Sequence, residues 1–167
     1  MSSRRGPTVG SSHLAGPGRI DSDARIDRNG LVVLDRAECL RLVSTATLGR
    51  IAISAAAMPL ILPVNFRLVG DRICLRTTPG TKLDAATSHA VVAFEVDDID
   101  RFSHEGWSVV VVGAAHHVED DTSAPELRAI PRWAPGGGAE SVIVAIDTTL
   151  VSGRRIDARH IGQAPTA

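Results

Sequence analysis

Apolar residues recur along this chain with two periods, and each change of period predicts a new element. In "LDRAECLRLVSTA", Leu40, Val43 and Ala46 follow helical spacing behind Asp35 and Glu38, a capping-box pair. That pattern predicts a short amphipathic helix. Gly49 punctuates the chain, the period becomes two, and "GRIAIS" sets Ile51 and Ile53 on one face of a strand. "AAAMP" reads as a turn into a second strand, "LILPVNFRLV", where Pro63 marks an edge or a bulge. "GDR" is a tight turn into "RICLRTT", so these two runs should form a hairpin. "PG" then ends the strand, and "TKLDAATS" is long enough for two helical turns.

The second half repeats the strand pattern. "AVVAFEVD" is a strand, and the acidic run "EVDDID" with Arg101 reads as a solvated loop. "WSVVVVGAAHHVED" is β-branched and long enough to be a central strand, with a bend or bulge at Gly113. "SAPELRAI" predicts a small helix, "PRWAPGGG" a loop, and "SVIVAIDTTLVSGRRI" the closing strand or strand pair. About six antiparallel strands with short helices predict a mainly β fold, a small closed barrel. The βαβ alternation of a parallel sheet is missing, and so is a glycine-rich dinucleotide fingerprint.

Residues 1–30 contain five Gly, five Ser and five Arg and no aromatic residue. They read as a flexible arm before a domain at 31–156, with residues 157–167 as a tail. Aromatic residues are only 3% of the chain, so Val, Ile, Leu and Ala must build the core. The net charge of −1, spread over both signs, argues against nucleic acid and gives no polybasic membrane patch. No apolar run reaches the length of a membrane span, and no signal peptide is recognisable, so a cytoplasmic protein is expected. Cys39 and Cys74 have no metal-ligand spacing and read as buried, reduced thiols.

The candidate chemistry gathers around the single lysine. Seventeen basic residues are arginine; only Lys82 is lysine, directly behind Pro79-Gly80-Thr81. A helix start offers free amides, Gly80 allows close backbone approach, and Arg76, Thr77, Thr81 and Lys82 add two cations and two hydroxyls. A phosphomonoester site and a solvated helix end both fit these residues. His116 and His117, adjacent on a strand, point to opposite faces and cannot chelate one metal together; no metal site is expected. Each is either simply exposed or, for one of them, a proton donor near a ligand. Trp133 reads equally as a cover over a pocket or as an apolar anchor for its loop. Arg154 and Arg155 alternate, so one of them is a candidate to face a pocket and favour an anion. No Ser-His-Asp or Cys-His arrangement marks a catalytic nucleophile.

Six segments, in order, resemble the pyridoxamine 5′-phosphate oxidase-like family of FMN-binding split barrels. They are "LGRIAI", "LPVNF", "RTTPGTKL", "VAFEVDDID", "GWSVVVVG" and "SGRRI", and the likeness covers about residues 31–156. The likeness is strongest to an actinobacterial branch similar to nitroimidazole-reductase-type proteins. It implies a split β-barrel homodimer with the flavin in a groove between subunits. It further implies that Val64 and Asn65 run beside the isoalloxazine, and that Arg76, Thr77, Thr81 and Lys82 hold the FMN phosphate. Trp107 and Ser108 would touch the flavin from the other subunit. The implied activity is an FMN-dependent oxidoreductase acting on a small organic substrate. Alternatives on the same barrel are a deazaflavin-dependent reductase, a non-catalytic flavin- or haem-binding module, and a dimeric structural protein. The longer C-terminal region with which true pyridoxamine 5′-phosphate oxidases bind substrate phosphate has no counterpart here, so that particular oxidation is not implied. The loops around 98–106 and 131–139 would set the substrate.

Overall fold

The computed structural model describes residues 25–87, 89–118, 125–130 and 142–157. Most of the segment read as an arm, the tail beyond Asp157, and the "PRWAPGGG" loop with Trp133 lie outside the described residues. Within the arm stretch, residues 25–30 form a turn. The Asp27 carboxylate accepts from the amides of Asn29 and Leu31, and it meets Arg154 at 2.9 Å. Strand β1 (Val32–Leu34) follows; three residues are too few to reveal a period in the sequence.

Helix α1 (Arg36–Thr45) starts where the cap predicted: the Asp35 side chain accepts from the Glu38 amide at 2.7 Å. The Glu38 carboxylate does not close the capping box but takes Arg41 and Arg155 instead. The helix buries Cys39, Leu42 and Val43, a stripe rotated from the expected Leu40, Val43 and Ala46 because Cys39 packs down on Gly153.

Eight strands share one sheet that curls into a ring. They are β1, β2 (Leu48–Ala55), β3 (Met58–Val69), β4 (Arg72–Thr77), β5 (Val91–Ile99), β6 (Gly106–Val118), β7 (Val142–Asp147) and β8 (Leu150–Ile156). Neighbours run β6–β5–β2–β3–β4–β7, and β7 pairs back onto β6, so six antiparallel strands close a barrel. Strand β8 lies outside on the first half of β6, and β1 edges β8. At Gly113 β6 leaves β8 for β7. The Asp147 backbone comes so close that a Cβ at this position would overlap its carbonyl oxygen, which is why the bend falls on glycine.

Helix α2 (Lys82–Thr87) follows β4, and α3 (Pro125–Arg128) precedes β7. Ile51, Ile53, Phe66, Leu75, Phe94 and Val111 fill the barrel, where the rings of Phe66 and Phe94 meet edge-on at 4.8 Å. Gly49 lies within β2 and leaves room for the Phe94 ring. Outside the barrel, Leu127 and Ile130 of the α3 segment cover Cys74, Ile143 and Ala145. Burial pushes the Cys74 thiol up to about 11 and raises Cys39 as well, so neither is a reactive thiolate. The "EVDDID" run differs from its loop reading: β5 continues to Ile99, with Asp97 and Asp98 exposed on the strand. No helix among the described residues is long and apolar enough to cross a membrane.

The β2–β3 turn breaks a local rule. Ala56 and Ala57 sit at φ +51° and +63°, the left-handed region that alanine resists by about 1–2 kcal/mol per residue. Two-residue hairpins that need this geometry prefer Asn-Gly. The double substitution Ala56→Asn, Ala57→Gly is therefore expected to stabilise the fold by about 1 kcal/mol and raise Tm by about 3 °C, read by thermal denaturation. An unchanged or lower Tm would mean that the turn relaxes out of this conformation.

Candidate functional site

The barrel is split between β3 and β4. Residues 58–65 of β3 pair only with β2 among the described residues, and pairing with β4 begins at Phe66 opposite Leu75. The register decides what this free edge presents. The Phe66 amide bonds to Thr47 across the β2–β3 ladder, and antiparallel pairs alternate between bonded and non-bonded. Pro59, Ile61, Pro63 and Asn65 therefore turn their backbone groups away from β2. Both prolines stand where a missing N–H costs the ladder nothing, which meets the expectation of an edge at Pro63. Asn65 turns its backbone toward β4, where the Phe66–Leu75 pairing engages its C=O with the Arg76 amide and leaves its N–H at the mouth of the split. The Val64 side chain points the other way, into the core.

The opposite lip is the end of β4 and the loop behind it. Thr77 is buried, and its Oγ1 lies 3.0 Å from Oγ1 of Thr81. Between them Thr78–Thr81 form a turn closed by the Thr81 amide on the Thr78 carbonyl, with Gly80 at φ +75°. A Cβ at Gly80 would meet nothing within 4 Å, so the turn has free space on that side. Lys82 opens α2; its side chain lies outside the described residues. Leu83 and Thr87 of α2 turn inward and are buried against this end of the barrel.

One residue here, Asp84, was not singled out in the sequence. Thr81 caps α2 by accepting from the Asp84 amide at 3.1 Å, while Asp84 Oδ2 accepts from the Gly80 amide at 2.8 Å. Asp84 Oδ1, shut off from solvent, lies 2.9 Å from Nε2 of His117 on β6. The T-x-x-D spacing in "TKLD" signals the cap. Nothing local signals His117, which arrives from thirty-odd residues away. The loop thus has hydroxyls, free space beside its glycine and a lysine that suit a phosphate ester, with one carboxylate that opposes it. On balance the donor set fits a phosphate.

The remaining candidates divide. Arg76 donates to the Leu127 carbonyl at 2.9 Å, which commits one guanidinium nitrogen to α3. Trp107 and Ser108 lie near the start of β6, ten positions before His117 and so roughly 30 Å along the strand. One copy of the chain therefore does not bring them to the loop. Trp107 faces the core side and Ser108 the outer side, opposite Asp97 and Arg154. His116 and His117 do point to opposite sides, His116 toward Asp147 at 4.0 Å. Neither Arg154 nor Arg155 is left as an open cation: Arg154 pairs with Asp27 and Arg155 with Glu38.

A six-stranded antiparallel ring opened along one strand edge, with small helices at its ends, defines the split-barrel proteins. The sequence narrows this further: the family model described as pyridoxamine 5′-phosphate oxidase matches residues 35–155, and the chain belongs to that family. A relative in Mycobacterium tuberculosis, the uncharacterized protein Rv0080, is 38% identical over 132 residues, covering 75% of this chain and 86% of its own. The solved structure of an FAD binding protein from Mycobacterium smegmatis is 32% identical, with a TM-score of 0.64, covering 75% of this chain and all of the other. An FAD-binding protein from Mesorhizobium loti shares the fold at 23% identity and a TM-score of 0.64, covering 76% of this chain and 99% of that one.

Proposed function

We propose that this protein is a flavin-dependent oxidoreductase, binding FMN in the split of the barrel and acting on a small organic substrate. The observation that carries the reading is the meeting, at one opening, of the β3 edge that ends at Asn65 with the Thr77–Thr81 hydroxyl pair and the Gly80 turn. An edge backbone suits the polar rim of an isoalloxazine, and the hydroxyl turn suits the phosphate on its ribityl chain. Lys82 supplies the cation, with Arg76 behind it. The likeness to an FAD binding protein at 32% identity favours a flavin over a haem or a deazaflavin.

In this reading the flavin supplies hydride and electron transfer, and the polypeptide binds, orients and shields it. Asn65 fixes the ring edge through its backbone. Thr77, Thr81 and Lys82 anchor the far end, so the ring has one orientation in the split. The protein is a homodimer, because Trp107 and Ser108 reach the flavin only from a second copy.

The test is the absorption spectrum of the purified protein, before and after incubation with FMN. Flavin bands that persist through gel filtration are the expected result. A Soret band would replace the reading with haem binding, and a colourless protein that retains none of FMN, FAD or deazaflavin would end it.

A further inference from the structure

The carboxylate in the loop is the feature the flavin reading does not use. Asp84 Oδ2 occupies the Gly80 amide, one of the donors an arriving phosphate needs, and it brings a negative charge to the same turn. Its other oxygen is out of solvent against His117 Nε2. The Asp84 side chain is 15% exposed, so water screens that charge poorly. From this geometry, and resting on the phosphate reading above, we propose that Asp84 and His117 are a positioning pair that sets how much negative charge the loop accepts. Asp84 holds the turn closed in the absence of ligand and repels a phosphate ester. His117, reaching across from β6, occupies the other carboxylate oxygen and keeps it turned from the loop, which makes the loop usable by an anion.

The pair acts through charge and through the Gly80 amide, so its mark is a change in the preference for FMN over riboflavin, which lacks the phosphate. Asp84→Asn keeps an oxygen for the Gly80 amide and removes the charge. It is expected to tighten FMN by about tenfold while leaving riboflavin where it was. His117→Val keeps a strand-compatible side chain and removes the donor. It is expected to weaken FMN by about fivefold, again sparing riboflavin. Because His117 works only through Asp84, His117→Val should have no further effect in the Asp84→Asn background.

The experiment is a fluorescence-quenching titration of the full-length wild type, both single variants and the double variant with FMN and with riboflavin. The expected result is the cycle just described. An unchanged FMN-to-riboflavin ratio in Asp84→Asn, with the wild type still preferring FMN, overturns the pair's role and leaves the phosphate reading intact. An equal loss from His117→Val in both backgrounds also overturns it, since His117 would then meet the phosphate directly. A wild type that binds the two ligands equally removes the phosphate site itself, and the inference with it.

Discussion

Ala93→Arg is expected to turn the protein into a monomer that no longer retains flavin. The outer face of the sheet carries an apolar row with one residue from each of five strands in register. Leu150 lies opposite Val112, Val112 opposite Ala93, Ala93 opposite Ala52, and Ala52 opposite Ile61. Its two ends are exposed, Leu150 at 66% and Ile61 at 68%, and Val91 beside it at 74%. A band of this kind with small alanines at its centre admits a second sheet face closely, and a twofold pairing of identical faces is the commonest way to cover it. A guanidinium at Ala93 would be buried there without a partner, a cost of several kcal/mol per subunit. In the proposed two-subunit site Trp107 and Ser108 come from the partner, so flavin is expected to be lost with the dimer. Sedimentation velocity at micromolar concentration and flavin retained on gel filtration measure the two effects. A variant that stays dimeric puts the interface elsewhere, and a wild type that is monomeric ends the two-subunit site.

What could be read from the sequence was set by how far apart the interacting residues are. The hairpins β2–β3 and β3–β4 were visible because turn and period lie within twenty residues, and Pro63 even gave the free edge. The Thr77–Thr81 pair was legible for the same reason. The contacts that decide each side chain's direction were not. Gly49 looked like punctuation because Phe94, whose ring it accommodates, lies forty-odd residues away. The arginines at 154 and 155 looked available because Asp27 and Glu38, which take them, are far back in the chain. Arg76 looked like a phosphate ligand, and only the fold brings the Leu127 carbonyl to it. His117 was weighed with its neighbour His116, when its partner is Asp84 on another element. Local chemistry names candidates; the ladder between distant strands assigns them.

Lys82→Ala is expected to weaken FMN binding by about tenfold to a hundredfold at moderate salt. A hydrogen bond to a charged group contributes roughly 1.5–3 kcal/mol, which is that range in affinity. The lysine stands at the first position of α2, one residue beyond the Thr81 cap and two beyond the open Gly80 turn. Arg76, the other cation, already donates to α3. The loss should therefore be larger at Lys82 than at Arg76. Lys82→Arg should rescue little, because a planar fork does not replace a compact ammonium beside a tight turn. Riboflavin should bind the wild type more weakly than FMN and be nearly indifferent to the substitution. Fluorescence-quenching titrations of wild type, Lys82→Ala and Arg76→Ala with both ligands, repeated at higher salt, check this. A phosphate held by an ammonium group loses affinity as salt rises, and Lys82→Ala should flatten that dependence. If the substitution weakens riboflavin as much as FMN, Lys82 supports the fold of the loop and the cofactor's phosphate is held by other residues.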